Sequence, residues 1–233
     1  MNKQSNTYTL IYIIVLVALV GTGLAFTSMS LRDRQQQNIA AEKMRQILAS
    51  VHIVPDKGQV ISDFDKYITE QYIVDAAGNR VEGDAFDVDV AKQVALPAAE
   101  RRMPVFECTL ADGSRKYILA AYGAGLWGPI WGYVSVDADA STVYGAYFGH
   151  QGETPGLGAE IEKPAFSDQF QGKQMFKDGR FLPVEVVKAG QKPAGDNDYV
   201  DGISGGTVTS KGVSAMLDNC LTSYSEYLNK IRS

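Results

Sequence analysis

Val105 to Tyr122 reads VFECTLADGSRKYILAAY, and this stretch decides the fold class. Two apolar runs rich in β-branched and aromatic residues, Val105–Leu110 and Lys116–Tyr122, flank Ala111-Asp112-Gly113-Ser114-Arg115. A turn-prone linker between two such runs predicts an antiparallel hairpin. Downstream, Ile130–Val136 and Thr142–His150 form a second pair across Asp137-Ala138-Asp139-Ala140, and Leu182–Val187 reads as a further strand. Helical patterns lie outside this β region. Ser210–Arg232 carries Val213, Met216, Leu217, Cys220, Leu221, Tyr224 and Leu228 on one stripe. Arg32–Ala49 carries Ile39, Met44, Ile47, Leu48 and then Val51 at three- and four-residue spacing, with Pro55 and Gly58 as its stop. Ser62 is expected to cap a short helix with Phe64, Ile68 and Tyr72 on one side, and Gly78-Asn79-Arg80 to form a turn. Hairpins bracketed by helices, without βαβ alternation, predict an α+β fold of antiparallel hairpins and flanking helices.

The N-terminal end is different in kind. No charge occurs between Lys3 and Arg32, and Tyr8–Phe26 is almost wholly apolar. About 20 such residues cross a bilayer core, whereas a signal peptide has an apolar core of about 7–15 residues and a small-residue cleavage site. The exit Ala25-Phe26-Thr27-Ser28-Met29 offers a poor one, so a retained anchor is expected. The division is therefore 1–29 as tail and transmembrane helix, and 30–233 as one domain. Arg32, Arg34, Lys43 and Arg45 after the helix outnumber Lys3 before it, a bias that taken alone keeps the domain cytoplasmic.

Composition excludes several functions. With 22 basic and 27 acidic residues the chain carries a net charge of −5, against a nucleic-acid-binding surface. The two cysteines and two histidines, His52, Cys108, His150 and Cys220, lack the close pairing of a zinc finger and the thiols of an iron–sulfur cluster, and no metal site is expected. Cys108 and Cys220 could pair in an oxidising compartment, but Cys220 on an apolar stripe reads rather as a buried thiol.

Three segments stand out. Gly123-Ala124-Gly125-Leu126-Trp127-Gly128 satisfies G-x-G-x-x-G, yet Pro129 and a strand follow where a dinucleotide site needs a helix. Its glycines suit positive φ or close backbone approach, and Trp127 reads as a core residue or as a stacking surface. His150-Gln151-Gly152-Glu153-Thr154-Pro155-Gly156-Leu157-Gly158 follows a strand; a turn accounts for part of it, and no nucleophile elbow supports a hydrolase built on His150. His52, in an apolar stretch, reads as structural. Ser204-Gly205-Gly206-Thr207-Val208-Thr209-Ser210-Lys211-Gly212 lacks the Walker A order and leads into the last helix. It reads either as a Ser-capped helix start or as a phosphate seat on the free N–H groups there.

Taken together, Gly-Leu-Trp-Gly, His-x-x-Glu-Thr-Pro-Gly-Leu-Gly and Asp-Gly-x-Ser-Gly-x-Thr-x-Thr-Ser behind an N-terminal helix resemble the C subunit of the Na⁺-translocating NADH:quinone reductase over nearly the whole chain. The G subunit of the Rnf complex is a relative with the same attachment motif. The resemblance implies FMN esterified through its phosphate to Thr207, the last residue of Ser204-Gly205-Gly206-Thr207, with Gly206 standing where alanine is frequent. It further implies that Glu153, Thr154, Leu157 and Gly158 lie along the flavin, with Leu126 and Trp127 near the ring. The implied function is electron carriage within a membrane oxidoreductase complex, with no catalytic residue or turnover of its own. The implied partners are the other subunits and, in maturation, a flavin transferase, since no evident base in the sequence would activate Thr207. The implied location is the bacterial inner membrane with the domain in the periplasm, against the charge count. An Rnf-type G subunit and a membrane-anchored flavin-binding sensor are the alternatives.

Overall fold

The sheet grows from residues whose alternation buries both faces at once. The computed structural model describes residues 6–56 and 58–232. Its elements run α1 (Asn6–Ala49), α2 (Val60–Tyr67), β1 (Ile68–Val74), β2 (Arg80–Val81), α3 (Val90–Val94), β3 (Met103–Thr109), β4 (Arg115–Ala124), β5 (Pro129–Asp137) and β6 (Val143–His150). Then follow α4 (Pro164–Ser167), β7 (Phe176–Lys177), β8 (Arg180–Phe181), β9 (Glu185–Val187), β10 (Tyr199–Asp201), α5 (Thr207–Leu221) and α6 (Ser225–Arg232).

Six strands form one antiparallel sheet in the order β2-β1-β3-β4-β5-β6. Both expected hairpins are present, with Val105 opposite Leu119 and Val134 opposite Ala146. Because side chains alternate, Val105, Leu119 and Val134 join a core with Val213, Met216, Leu217 and Leu221 of α5. Phe106 and Ile118 point the other way, into a core with Ile47, Leu48, Val51 and Phe64. A strand buried on both faces has no polar side to show, which is why β3 and β4 read as continuous apolar runs.

Several boundaries differ from the sequence reading. Ile68 and Tyr72 belong to β1, not to the helix that contains Phe64. An irregularity between Ile68 and Glu70 turns Ile68 toward Ile47 and Phe64 and Tyr72 toward Val105 and Leu119, on the opposite face, and Ile-Thr-Glu-Gln-Tyr-Ile-Val suits the strand. Ser62 does not cap α2: Gln59 occupies that position and accepts a hydrogen bond from Ser62 Oγ at 2.9 Å. The strand expected at Leu182 is confined to Glu185–Val187, since Pro183 has no N–H for a ladder. The last helix begins at Thr207 rather than Ser210 and is interrupted by a 3-10 turn at Thr222–Tyr224. α1 stops at Ala49, ahead of Pro55, in a turn where His52 takes φ 61° and its Nε2 lies 3.1 Å from the Tyr144 carbonyl. Cys108 and Cys220 are free, buried thiols, and burial pushes Cys108 up to about 11.

The chain divides into two compact units, ending and beginning at Lys43 and Met44. In the first, α1 is long and apolar enough to cross a membrane, with a mean hydropathy of 2.5 over its most apolar 18-residue window. None of that window is buried against protein, so its exposed Leu, Ile and Val side chains suit a lipid solvent.

Candidate flavin site

Glu153 holds the candidate site together. Its carboxylate is buried, and Oε1 accepts the Trp127 backbone N–H at 2.9 Å. Oε2 accepts the Thr209 hydroxyl at 2.6 Å. The Glu153 N–H in turn donates to His150 Nδ1 at 3.2 Å, and His150 Nε2 lies 3.6 Å from Glu162. Burial raises the carboxyl's affinity for a proton. The hydrogen bonds from Thr209 and the Trp127 and Leu126 N–H groups, with His150 nearby, outweigh it and hold Glu153 below the ordinary carboxylate range. One buried charge thus ties together the β4–β5 turn, the loop after β6 and the first turn of α5.

Glycine makes the close approach feasible. A Cβ on Gly125 would lie 2.4 Å from Glu153 Oε1, and one on Gly158 2.2 Å from Oε2 and 2.5 Å from Thr209 Oγ1. Neither position can carry a side chain without displacing the carboxylate. Gly123-Ala124-Gly125-Leu126-Trp127-Gly128 therefore ends a strand and turns into the next, as the rejection of a dinucleotide fingerprint requires.

α5 opens onto this assembly at Thr207. Its N-cap is Gly206, with no side-chain cap, so neither Ser204 nor Ser210 caps the helix. The first-turn N–H groups have no intrahelical acceptor and carry the positive end of the helix dipole, an arrangement suited to a phosphate. Gly205 takes φ 78°, which places it in the left-handed region, and its missing Cβ leaves room for Leu157 Cδ2. A Cβ on Gly206 would meet Ile203 at 3.1 Å and the Gly158 N at 3.3 Å, a tight contact that slight shifts relieve.

The sequence-predicted residues fall into two groups. Glu153, Gly158 and Gly206 are buried in the framework. Ser204, Gly205, Thr207 and Thr154 are exposed around it, and so are Leu126, Trp127 and Leu157. Trp127 is 68% exposed, which resolves its two readings in favour of a surface over a core residue. Val208, in the first turn of α5, is a further exposed apolar residue at 53%, with no motif to announce it. Among the described residues no carboxylate or imidazole hydrogen-bonds to the Thr207 hydroxyl, and no cluster of metal-ligating side chains occurs.

This framework coincides with a known domain. The FMN-binding domain family matches residues 125–222, which begin at the β4–β5 turn and include the loop after β6 and the whole of α5. The C subunit of the Na(+)-translocating NADH-quinone reductase of Vibrio anguillarum is 34% identical over 99% of this chain and 97% of its own length. The chain belongs to that C-subunit family. The Yersinia pestis member is 31% identical, again over 99% of this chain. A solved family member from Parabacteroides distasonis shares 52% of its sequence with a TM-score of 0.80, over 85% of this chain and 96% of the other. Shewanella oneidensis NqrC, 25% identical, gives 0.69 over 83% and 97%. Membership of this family accounts for the long apolar helix and the domain behind it as parts of one membrane-anchored chain.

Proposed function

We propose that this chain is the electron-carrying C subunit of a Na⁺-translocating NADH:quinone reductase and holds FMN through an ester between the cofactor phosphate and the Thr207 hydroxyl. The observation that carries the reading is an exposed threonine at the first position of a helix without a side-chain cap, inside a matched FMN-binding domain. Bound flavin supplies the electron acceptance and release; the chain supplies attachment, orientation and exclusion of water.

Each residue then has a task. Thr207 provides the ester oxygen, and the first-turn N–H groups with Ser204 stabilise the phosphate charge. Gly205 and Gly206 let the segment approach closely. Leu157, Leu126 and Trp127 offer apolar surface to the ring, and the exposed Thr154 hydroxyl a hydrogen bond. Glu153 and Gly158 set the position of those loops relative to Thr207. With no base on the Thr207 hydroxyl among the described residues, we assign attachment to a separate flavin transferase. The remaining subunits of the complex are its electron partners, and the domain faces the periplasm from the inner membrane.

The Thr207→Val protein, produced in cells that flavinylate the wild type, should carry no flavin after denaturation. Peptide mass spectrometry of the wild type should find FMN less one water on the fragment containing Thr207. Covalent flavin persisting in the valine variant would overturn the assignment.

A further inference from the structure

β4 outruns β3. Val105 opposite Leu119 is the last pair between them, whereas β5 follows β4 on its other side as far as Ala124. From Ala120 onward the β3 side of the strand has no ladder, and backbone groups buried there need other partners. α5 and the 3-10 turn after it supply them. The Ala120 N–H donates to Tyr224 Oη at 3.1 Å, and that hydroxyl lies 2.9 Å from Pro104 O and 3.1 Å from Ala120 O. Two residues on, the Tyr122 N–H reaches Cys220 Sγ at 3.4 Å, and the thiol donates back to Tyr122 O at 3.3 Å. Both side chains are buried.

At the next edge position, Ala124, the helix presents no side chain at all. A Cβ on Gly212 would overlap the Ala124 carbonyl oxygen and lie 3.5 Å from Gly125 Cα. The strand is equally bare where it crosses the helix, since a Cβ on Gly123 would lie 2.7 Å from Met216 Cβ. Glycine weakens a helix interior relative to alanine, so its presence at 212 is explained by this approach rather than by helix stability. The contact lies between the two ends of the candidate site. Gly212 is five residues beyond Thr207 on the same helix, and Ala124 two residues before Leu126.

We propose that Gly212 is a positioning residue for the cofactor: its bare Cα sets how near α5 stands to the β4–β5 turn, while Cys220 and Tyr224 set where along the β4 edge it stands. The inference rests on the reading above, in which FMN joined to Thr207 lays its ring against Trp127. A tether on the helix and a ring surface on the turn suit one rigid ring system at one separation, and a methyl group between the two elements changes it. Glu153 links the same elements through a side chain that can rotate. The Gly212–Ala124 approach is backbone against backbone and yields only if an element moves.

Time-resolved flavin fluorescence of the full-length flavinylated protein in detergent tests the assignment. An indole in contact with an excited flavin passes it an electron and takes it back without emission, so the lifetime reports the Trp127–ring contact. Trp127→Phe should lengthen the lifetime. Gly212→Ala should lengthen it too, with FMN still on Thr207 by mass spectrometry, and should add nothing in the Trp127→Phe background. Cys220→Ala adds no bulk and serves if Gly212→Ala does not fold: it should speed hydrogen exchange at the Tyr122 amide and lengthen the lifetime only where Trp127 is present. An unchanged lifetime in the folded, flavin-loaded Gly212→Ala chain, or in Cys220→Ala in its stead, would overturn the positioning role. An equal change with and without Trp127 would do the same, because general loosening of the helix would then account for it. A Trp127→Phe lifetime equal to that of the wild type would overturn the ring placement and the proposal with it, whereas the attachment is judged separately by Thr207→Val.

Discussion

Glu153 shows how one buried carboxylate can hold three separate segments together. Both carboxylate oxygens are taken by the chain itself, Oε1 by the Trp127 N–H and Oε2 by Thr209. Glutamine in its place keeps one acceptor but turns an NH₂ toward a donor. We expect Glu153→Gln to cost about 1–3 kcal/mol at pH 7, the scale of losing charge-assisted hydrogen bonds in a buried site. The pH dependence has a definite sign. The folded carboxyl lies below its ordinary range, so its contribution is fully present above the unfolded value of about 4.3 and disappears as pH falls through the folded value. Urea denaturation of the full-length protein in detergent should therefore show the wild type losing its advantage over Glu153→Gln below about pH 4.3. A constant difference from neutral to acid pH would mean that Glu153 is not bound as a carboxylate. This residue's structural part is hidden in the sequence, because its partners lie 26 and 56 positions away. The motif around Thr207, by contrast, is contiguous and visible in the sequence, although the apolar stripe puts the helix start at Ser210 and the structure puts it at Thr207.

At the scale of elements, α5 must hold its first turn still while that turn is exposed. Its C-terminal end is fastened by Arg101, whose guanidinium is buried. Nη1 donates to the Asn219 carbonyl at 2.9 Å and to Ser223 Oγ at 3.1 Å, Nη2 to Val94 O at 3.0 Å, and Nε to Leu96 O at 3.1 Å. A planar fork reaching both the end of α3 and the end of α5 has no equivalent in an ammonium group. Arg101→Met should thus destabilise the domain by about 1–3 kcal/mol, and Arg101→Lys should recover little of it, as measured by thermal unfolding. Full recovery by lysine would reduce Arg101 to a point charge. Elements are unequally legible for physical reasons. The β3–β4 and β5–β6 hairpins close over short turns, so residues near in sequence specify them. The start of β1 reads as helix because Phe64, Ile68 and Tyr72 follow at four-residue spacing, whereas distant pairing with β3, irregular between Ile68 and Glu70, sends Ile68 and Tyr72 to opposite faces. Arg101 gives no signal at all, since a lone arginine in a polar stretch reads as solvated.

For the whole molecule, two physical arguments compete over which way the anchor points. Arg32, Arg34, Lys43 and Arg45 follow the apolar helix and only Lys3 precedes it, so counting charges alone retains the domain in the cytoplasm. That count governs short loops. A long folded domain crosses largely regardless of flanking charge, and Asp33 and Glu42 contribute little to the balance. The family resemblance implies a periplasmic domain, and two properties of the chain agree with passage through a membrane. The domain carries net negative charge rather than a cationic surface that would hold it to anionic lipid on the cytoplasmic side. Its two thiols are buried and free, so an oxidising compartment finds no exposed cysteine to cross-link. Alkaline phosphatase fused after Ser233 should accordingly be active in a bacterial host, and the product should retain Met1. On this reading, replacing Arg32 and Arg34 by glutamine should leave that activity unchanged. If the fused phosphatase is inactive while a cytoplasmic reporter at the same point is active, the basic residues after the helix have set the topology, and the domain must meet its electron partners from the cytoplasmic face.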